Sequence, residues 1–302
     1  MSRIPTFSLL ACSLLALTAC APAGSLTRAP AAAAEPVAGV AAPANDNLNA
    51  VLWVQRSDEY RALSLQTWRA AARLLDQAVA DPHWNALLPE EGGARDTRGL
   101  KPAVVVDVDE TVLDNSPYQA RVVIEGGSYN DASWAEWVAE RKAKAVPGAV
   151  EFARAAAAKG VTMIYLTNRT EAMKQDTLAN LRQAGFPVAD DSVYLGLGVN
   201  VPGCEQHGSE KGCRRQLVAQ KYRVLMQFGD QITDFVQITD NRYATRRTLM
   251  EQHDAWIGQR WWVIPGPTYG GWEAAAFNNR WSLPEDIRRQ AKRDALELET
   301  TP

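Results

Sequence analysis

The feature that most constrains this chain is a series of short apolar runs, the first of which stops abruptly at an acid. Ala103–Val106 follows Pro102 and ends at Asp107. Its length and β-branched content mark a strand buried on both faces, as in a parallel sheet. Val161–Leu166, Val193–Leu195, Val224–Phe228 and Trp261–Ile264 repeat the pattern. Between them lie the helical stretches Pro147–Lys159, Thr170–Ala184 and Arg214–Tyr222. This alternation predicts an α/β fold on a doubly wound parallel sheet. In such sheets chemistry gathers at the carboxyl ends of the strands. Ahead of the first strand, Val51, Leu52, Tyr60, Leu63, Trp68, Leu74, Leu75 and Val79 recur at helical spacing. They predict one or two amphipathic helices, stopped by Asp81-Pro82. Pro89–Gly99 reads as a polar loop, and residues 115–146 are long enough for a small, mainly helical cap.

The chain start reads differently. Arg3 precedes the apolar stretch Phe7–Leu17, which is too short to span a bilayer as a mature helix. It ends in Leu17-Thr18-Ala19-Cys20, which resembles a bacterial lipobox with Cys20 as the acylated residue. Residues 1–19 are therefore expected to be a lipoprotein signal peptide. Residues 20–45, rich in Ala, Pro and Gly, are expected to be a flexible tether. Residues 46–302 form the folded domain, with 46–100 its N-terminal helices. The Ala21 that follows Cys20 is not a retention Asp, so the expected location is the bacterial cell envelope, on the outer membrane. Formal charge is −3 over 302 residues, with no clustered excess of base, which argues against a nucleic acid polymer as partner. Three His cannot fill a multi-histidine metal centre.

Chemistry is expected where the runs end. Asp107 and Asp109 follow the first strand one residue apart. Close carboxylates repel unless a cation intervenes, and Mg²⁺ takes oxygen ligands with one or two carboxylates among them. Thr167, Asn168 and Arg169 follow the second run and suit phosphate oxygens. Lys211 precedes a helical stretch and could neutralise a phosphoryl group. Gly229-Asp230 and Asp234 follow Val224–Phe228: Asp230 could complete a metal site, and Asp234 could orient Lys211 or a metal-bound water. Cys204 and Cys213 are close enough in sequence for a disulfide, which export would permit. A bridge there would hold the Lys211 stem.

Taken together, D-x-D-x-T, the strand-end Thr, Lys and G-D-x-x-x-D resemble the four signatures of the haloacid dehalogenase superfamily of phosphohydrolases. The likeness extends through Leu52-Trp53-Val54-Gln55, Asp107–Ser116 (DVDETVLDNS), Trp134-x-x-Trp137-Val138, Pro147–Phe152 and Tyr269-Gly270-x-Trp272-Glu273. With the lipobox, these are similar to the class C bacterial acid phosphatases, the membrane-anchored lipoprotein 5′-nucleotidases. The resemblance covers about residues 46–285. It implies a Mg²⁺-dependent phosphomonoesterase working through an aspartyl-phosphate, with Asp107 as nucleophile and metal ligand. Asp109 would be general acid and base and lend its carbonyl to the metal, and Asp230 would be the third protein ligand. Thr167 and Lys211 would hold phosphoryl oxygens, with Asn168, Arg169 and Asp234 assisting. Small phosphomonoesters are the implied substrates. Nucleoside monophosphates, nicotinamide mononucleotide among them, would be stacked by aromatic residues such as Tyr269 and Trp134, although Trp134 and Trp137, three positions apart, read equally as helix-packing residues. A homodimer is also implied. The Cys204/Cys213 pair is not part of the family pattern. A sugar-phosphate phosphatase of the same superfamily and a non-catalytic surface lipoprotein stand as alternatives.

Overall fold

The structure is a computed structural model and describes residues 44–299. The expected signal peptide, Cys20 and most of the tether lie outside the described residues. Seven strands are found among the described residues: β1 Lys101–Val106, β2 Leu113–Asp114, β3 Lys144–Ala145, β4 Thr162–Thr170, β5 Tyr194–Leu197, β6 Tyr222–Gly229 and β7 Trp261–Val263. Five of them form a parallel sheet in the order β5-β4-β1-β6-β7. Flanking helices include α1 Leu48–Arg56, α2 Asp58–Ala80, α3 Ser116–Ile124, α4 Asp131–Glu140 and α5 Ala149–Ala158. They continue with α6 Lys174–Ala184, α7 Gly212–Ala219, α8 Tyr243–Gln252, α9 Gly271–Ala274 and α10 Glu285–Asp294. The α/β architecture expected from the alternating runs is the one found.

The order of strands matters more for function than their number. β1 lies between β4 and β6, with Val106 in register with Tyr165 on one side and Phe228 on the other. The residues that follow these three neighbours are therefore delivered to one edge of the sheet. β1 can occupy the middle because Ala103, Val104, Val105 and Val106 are all buried. The long helix α2 packs on the same core. Its Trp68, 1% exposed, stacks on Phe228 at 4.1 Å between ring centres and meets Phe152 of α5 at 5.2 Å. Burying a ring of that size stabilises the fold by about 2–3 kcal/mol. Ser57 starts α2 by accepting a hydrogen bond from the Tyr60 amide at 3.0 Å, one of the donors a helix N-terminus leaves open.

The segment after β1 makes a separate excursion. β2 pairs antiparallel with β3, and α3 and α4 lie between them. Asn130 caps α4 through the Ser133 amide at 2.8 Å, and α4 packs against α6.

Several boundaries differ from the sequence reading. β4 continues past Leu166 to Thr170, because Tyr194 donates its hydroxyl to the carbonyls of Arg169 at 3.1 Å and Thr170 at 2.9 Å. A register shift then lets Thr170 pair with Leu197. The helix expected at Arg214–Tyr222 begins earlier, at Gly212, and stops at Ala219, because Tyr222 opens β6. α8 and α10 were not anticipated: both are strongly polar, and α10 buries no residue. Among the described residues no helix is long and apolar enough to cross a membrane.

Candidate active site

Asp107 leaves the end of β1 with its amide bonded to the Phe228 carbonyl of β6 at 2.9 Å. Its carboxylate is buried. One oxygen accepts a hydrogen bond from Lys211 Nζ, the other from Thr111 Oγ1 at 3.2 Å. Lys211 stands at the N-cap of α7 and donates also to Asp234 Oδ1 at 2.7 Å. One buried ammonium thus bridges two buried carboxylates. Burial pulls Lys211 down, but the charges of Asp107 and Asp234 outweigh it and hold the pKa above its ordinary value. Burial pushes Asp107 up to about 7 in spite of Lys211, with Asp234 and Asp109 adding to the rise.

Asp230 and Asp234 come from the turn after β6. The backbone amide of Gln231 donates to Asp234 Oδ2 at 2.9 Å, and its side-chain amide donates to Asp230 Oδ2 at 2.7 Å. Oxygens of Asp107, Asp230 and Asp234 lie within 4.8 Å of one another. Two glycines permit this crowding: a Cβ at Gly229 would collide with the Asp234 carboxylate, and one at Gly266 with that of Asp230. Burial first, then the Asp234 and Asp107 charges, drive Asp230 well above the usual carboxylate range. An oxygen-only, anionic donor set in which Lys211 contacts Asp107 and Asp234 but Asp230 meets only a neutral amide fits a divalent cation.

Asp109 turns toward β4. Its Oδ1 accepts from Arg169 Nε at 2.9 Å and from Asn115 Nδ2 at 2.9 Å, and forms an ion pair with Arg169 Nη2 at 2.8 Å. Its Oδ2 meets Thr167 Oγ1 at 3.4 Å. Thr167 is therefore beside Asp109. Asn168 is exposed at the end of β4, with its Oδ1 held by Arg214 Nη2 at 2.7 Å. Arg214 also bonds the Thr167 carbonyl, and the Ser209 and Glu210 carbonyls at 3.2 Å each. It ties the stem of the Lys211 loop to β4. Cys204 and Cys213 are joined by a disulfide with a Cα separation of 5.6 Å.

Two expected contacts are placed elsewhere. Arg169, read as a phosphate ligand, is 2% exposed and engages Asp109, Thr177 at 3.2 Å and Asn115 at 3.3 Å instead. Once a guanidinium is buried, its nearest carboxylate claims it. Trp134, read as a stacking surface, is 8% exposed and packs edge-on to Tyr118 at 5.1 Å, with Arg169 over its face at 5.4 Å. It is a packing residue within α4. Tyr269 is half-buried, and its hydroxyl donates to Glu110.

Glu110 was not singled out in the sequence. It sits at φ +60, buried, bonded by Tyr269 and by the Asn115 amide at 2.9 Å. Burial first and Asp109 second push it up to about 8. Asn115, Arg214 and Gln231 were missed as well. The one signal available for Glu110 and Asn115 was their place in the polar run directly after a buried strand.

A lysine clamped between strand-end aspartates at the carboxyl edge of a parallel sheet, beside a second aspartate braced by arginine, defines a phosphohydrolase-like α/β protein. The chain belongs to the HAD superfamily, subfamily IIIB (Acid phosphatase), whose pattern matches residues 19–272. It is similar to the class C acid phosphatase from Bacillus anthracis, at 30% identity and a TM-score of 0.72, over 84% of this chain and 98% of that one. A second structure of that enzyme, with tungstate bound, matches at 31% identity with the same TM-score of 0.72 and the same coverage of 84% and 98%. The stem 31 kDa glycoprotein of Glycine max is 27% identical over 142 residues, 47% of this chain and 54% of that protein. Acid phosphatase 1 of Solanum lycopersicum is 26% identical over 132 residues, 44% of this chain and 51% of that protein. The chain spans about half the length of these curated relatives.

Proposed function

We propose that the protein is an acid phosphatase that hydrolyses small phosphomonoesters through an aspartyl-phosphate on Asp107. The observation that carries this reading is the convergence of Asp107, Lys211, Asp234 and Asp230 at one sheet edge, with Asp109 beside them. Asp107 attacks phosphorus and the ester bond breaks. Splitting the displacement into two steps lowers each barrier. Lys211 places positive charge where the phosphoryl oxygens gather charge, which a buried site rewards. Asp109 gives a proton to the leaving oxygen and takes one from the water that releases phosphate; such help is worth roughly 10²–10⁴-fold. Thr167 and Asn168 face the same edge and are assigned to the phosphoryl oxygens.

We assign a Mg²⁺ to Asp107 and Asp230, with the Asp109 carbonyl, and with Asp234 held alongside by Lys211. Bound there, it would offset the repulsion between Asp107 and a dianionic phosphate. The tungstate complex of the Bacillus anthracis enzyme supports an oxyanion site in this fold. Nucleoside monophosphates, including nicotinamide mononucleotide, are the substrates we favour from the class C resemblance. Tyr269, the 42%-exposed Trp272 and the 57%-exposed Tyr129 of the cap segment are aromatic rings available to meet them. The lipid anchor at Cys20, the outer-membrane location and a homodimer belong to the same proposal.

A panel of phosphomonoesters assayed with EDTA and then with added Mg²⁺ tests it. Expected is turnover that vanishes with chelation and returns with Mg²⁺. Turnover indifferent to EDTA would remove the metal, and none on any ester would remove the activity.

A further inference from the structure

Asp109 is the candidate acid, yet its two oxygens are treated very unequally. Oδ1 accepts hydrogen bonds from Arg169 Nε at 2.9 Å and Asn115 Nδ2 at 2.9 Å, and is ion-paired with Arg169 Nη2 at 2.8 Å. Oδ2 has only the long contact to Thr167 Oγ1 at 3.4 Å. An oxygen that accepts two hydrogen bonds and has a second guanidinium nitrogen against it has no room for a proton. The other does.

The orientation of Asn115 follows from donor chemistry alone. Its side-chain oxygen lies 2.8 Å from Trp137 Nε1 and 3.3 Å from Arg169 Nη2. Indole and guanidinium nitrogens only donate, so the atom between them must be the acceptor. The remaining atom of the amide is then Nδ2, and it must donate to Asp109. Asn115 is fully buried, stands at the N-cap of α3, and bonds Glu110 through its backbone amide. Trp137 belongs to α4. Both helices of the 115–146 excursion therefore meet at this one amide.

We propose that Asn115, oriented by Trp137, is a positioning residue that saturates Asp109 Oδ1 and thereby assigns proton transfer to Oδ2. The inference rests on the phosphatase reading. In the first step the Oδ2 proton goes to the bridging ester oxygen as the bond to phosphorus breaks and the bond to Asp107 forms. In the second, Oδ2 takes a proton from the attacking water as the bond from phosphorus to Asp107 breaks. Without Asn115 the carboxyl can rotate or share its proton between both oxygens, and protonation of the leaving group loses alignment. Only leaving groups that need that proton should suffer.

This gives a readout that general loosening of the fold would not produce. An alkyl phosphate such as glycerol phosphate needs a proton on its leaving oxygen, whereas nitrophenolate departs without one. kcat/KM reports the step in which that bond breaks, so the ratio of kcat/KM for p-nitrophenyl phosphate to that for glycerol phosphate isolates the acid. Asn115→Leu is expected to raise the ratio at least tenfold. Trp137→Phe keeps an aromatic ring in place and removes the Nε1 donor, and is expected to raise it about threefold; the lost ring volume acts on both esters alike and leaves the ratio to report the donor. Should Asn115→Leu fail to fold, Trp137→Phe carries the test. Equal losses on both esters, leaving the ratio unchanged, would overturn the proposal. A parent protein inactive on both esters would instead overturn the phosphatase reading, and this inference with it.

Discussion

Glu91 and Arg215 form a buried ion pair that supports the site from behind, and its removal should be felt as stability and as activity in different proportions. Arg215 Nε and Nη2 reach the two Glu91 oxygens at 2.7 and 2.6 Å, with side-chain exposures of 0% and 5%. Its Nη1 donates to the carbonyls of Thr233 at 3.2 Å and Asp234 at 2.9 Å. The perturbation is Glu91→Gln, which keeps the shape and deletes the charge. Unit charges about 4 Å apart attract by about 4 kcal/mol at an effective dielectric near 20, and breaking one partner of a buried pair typically costs about 3–5 kcal/mol. For a domain of this size each kcal/mol lowers Tm by roughly 2–4 °C, so a fall on the order of 10 °C is expected in calorimetry. The double variant Glu91→Leu with Arg215→Met removes both charges and should recover most of that fall. Its turnover should nevertheless stay below the parent, because the Asp234 carbonyl has lost its donor and Asp234 orients Lys211. A Glu91→Gln variant that melts within 2 °C of the parent would refute the energetic argument. A double variant with parental kinetics would refute the link to Asp234.

Asp107→Asn should abolish turnover while circular dichroism and Tm remain near the parent, because Lys211 keeps Asp234 as its partner and the repulsion of Asp107 by Asp234 and Asp109 is relieved; a folded variant with a tenth of parental activity would exclude Asp107 as nucleophile. Cys204→Ser with Cys213→Ser opens a ring of about ten residues and should cost roughly 2–3 kcal/mol, read as a Tm lower by several degrees. Its kinetics should change little, because Arg214 holds the Ser209 and Glu210 carbonyls at the Lys211 stem independently of the bridge. Asp46 is pushed up by partial burial but held below its ordinary pKa by Lys292 and Arg289. A depressed carboxylate lends stability above its unfolded pKa and loses it as pH falls through the folded value. Asp46→Asn should therefore lower Tm slightly at pH 7, by an amount that shrinks in high salt, and not at all near pH 2.

How much of this was legible in the sequence depends on how far each residue's partners lie. Asp107 could be read because its neighbours are local: a buried apolar run before it and Thr111 four residues on. The strand order could not, yet once β1 lies between β4 and β6, the acids after Val106 and after Gly229 must share an edge. Lys211 needed only that edge to find Asp107 and Asp234. Arg169 and Trp134 depend instead on partners far off in sequence. Arg169 is claimed by Asp109, 60 positions away, and by Asn115, 54 away. Local spacing carries no trace of such a pairing. Burial then reverses the prior, since a guanidinium sealed from water goes to the nearest carboxylate rather than to a ligand that comes and goes. Asn115, Arg214 and Gln231 escaped notice because amides and guanidinium groups that brace other side chains look, in sequence, like any polar loop. The chemistry-bearing acids sit where a strand ends and are visible there. The groups that aim them are distributed over α3, α4, α7 and the turn after β6, and only tertiary structure brings them to the same few oxygens.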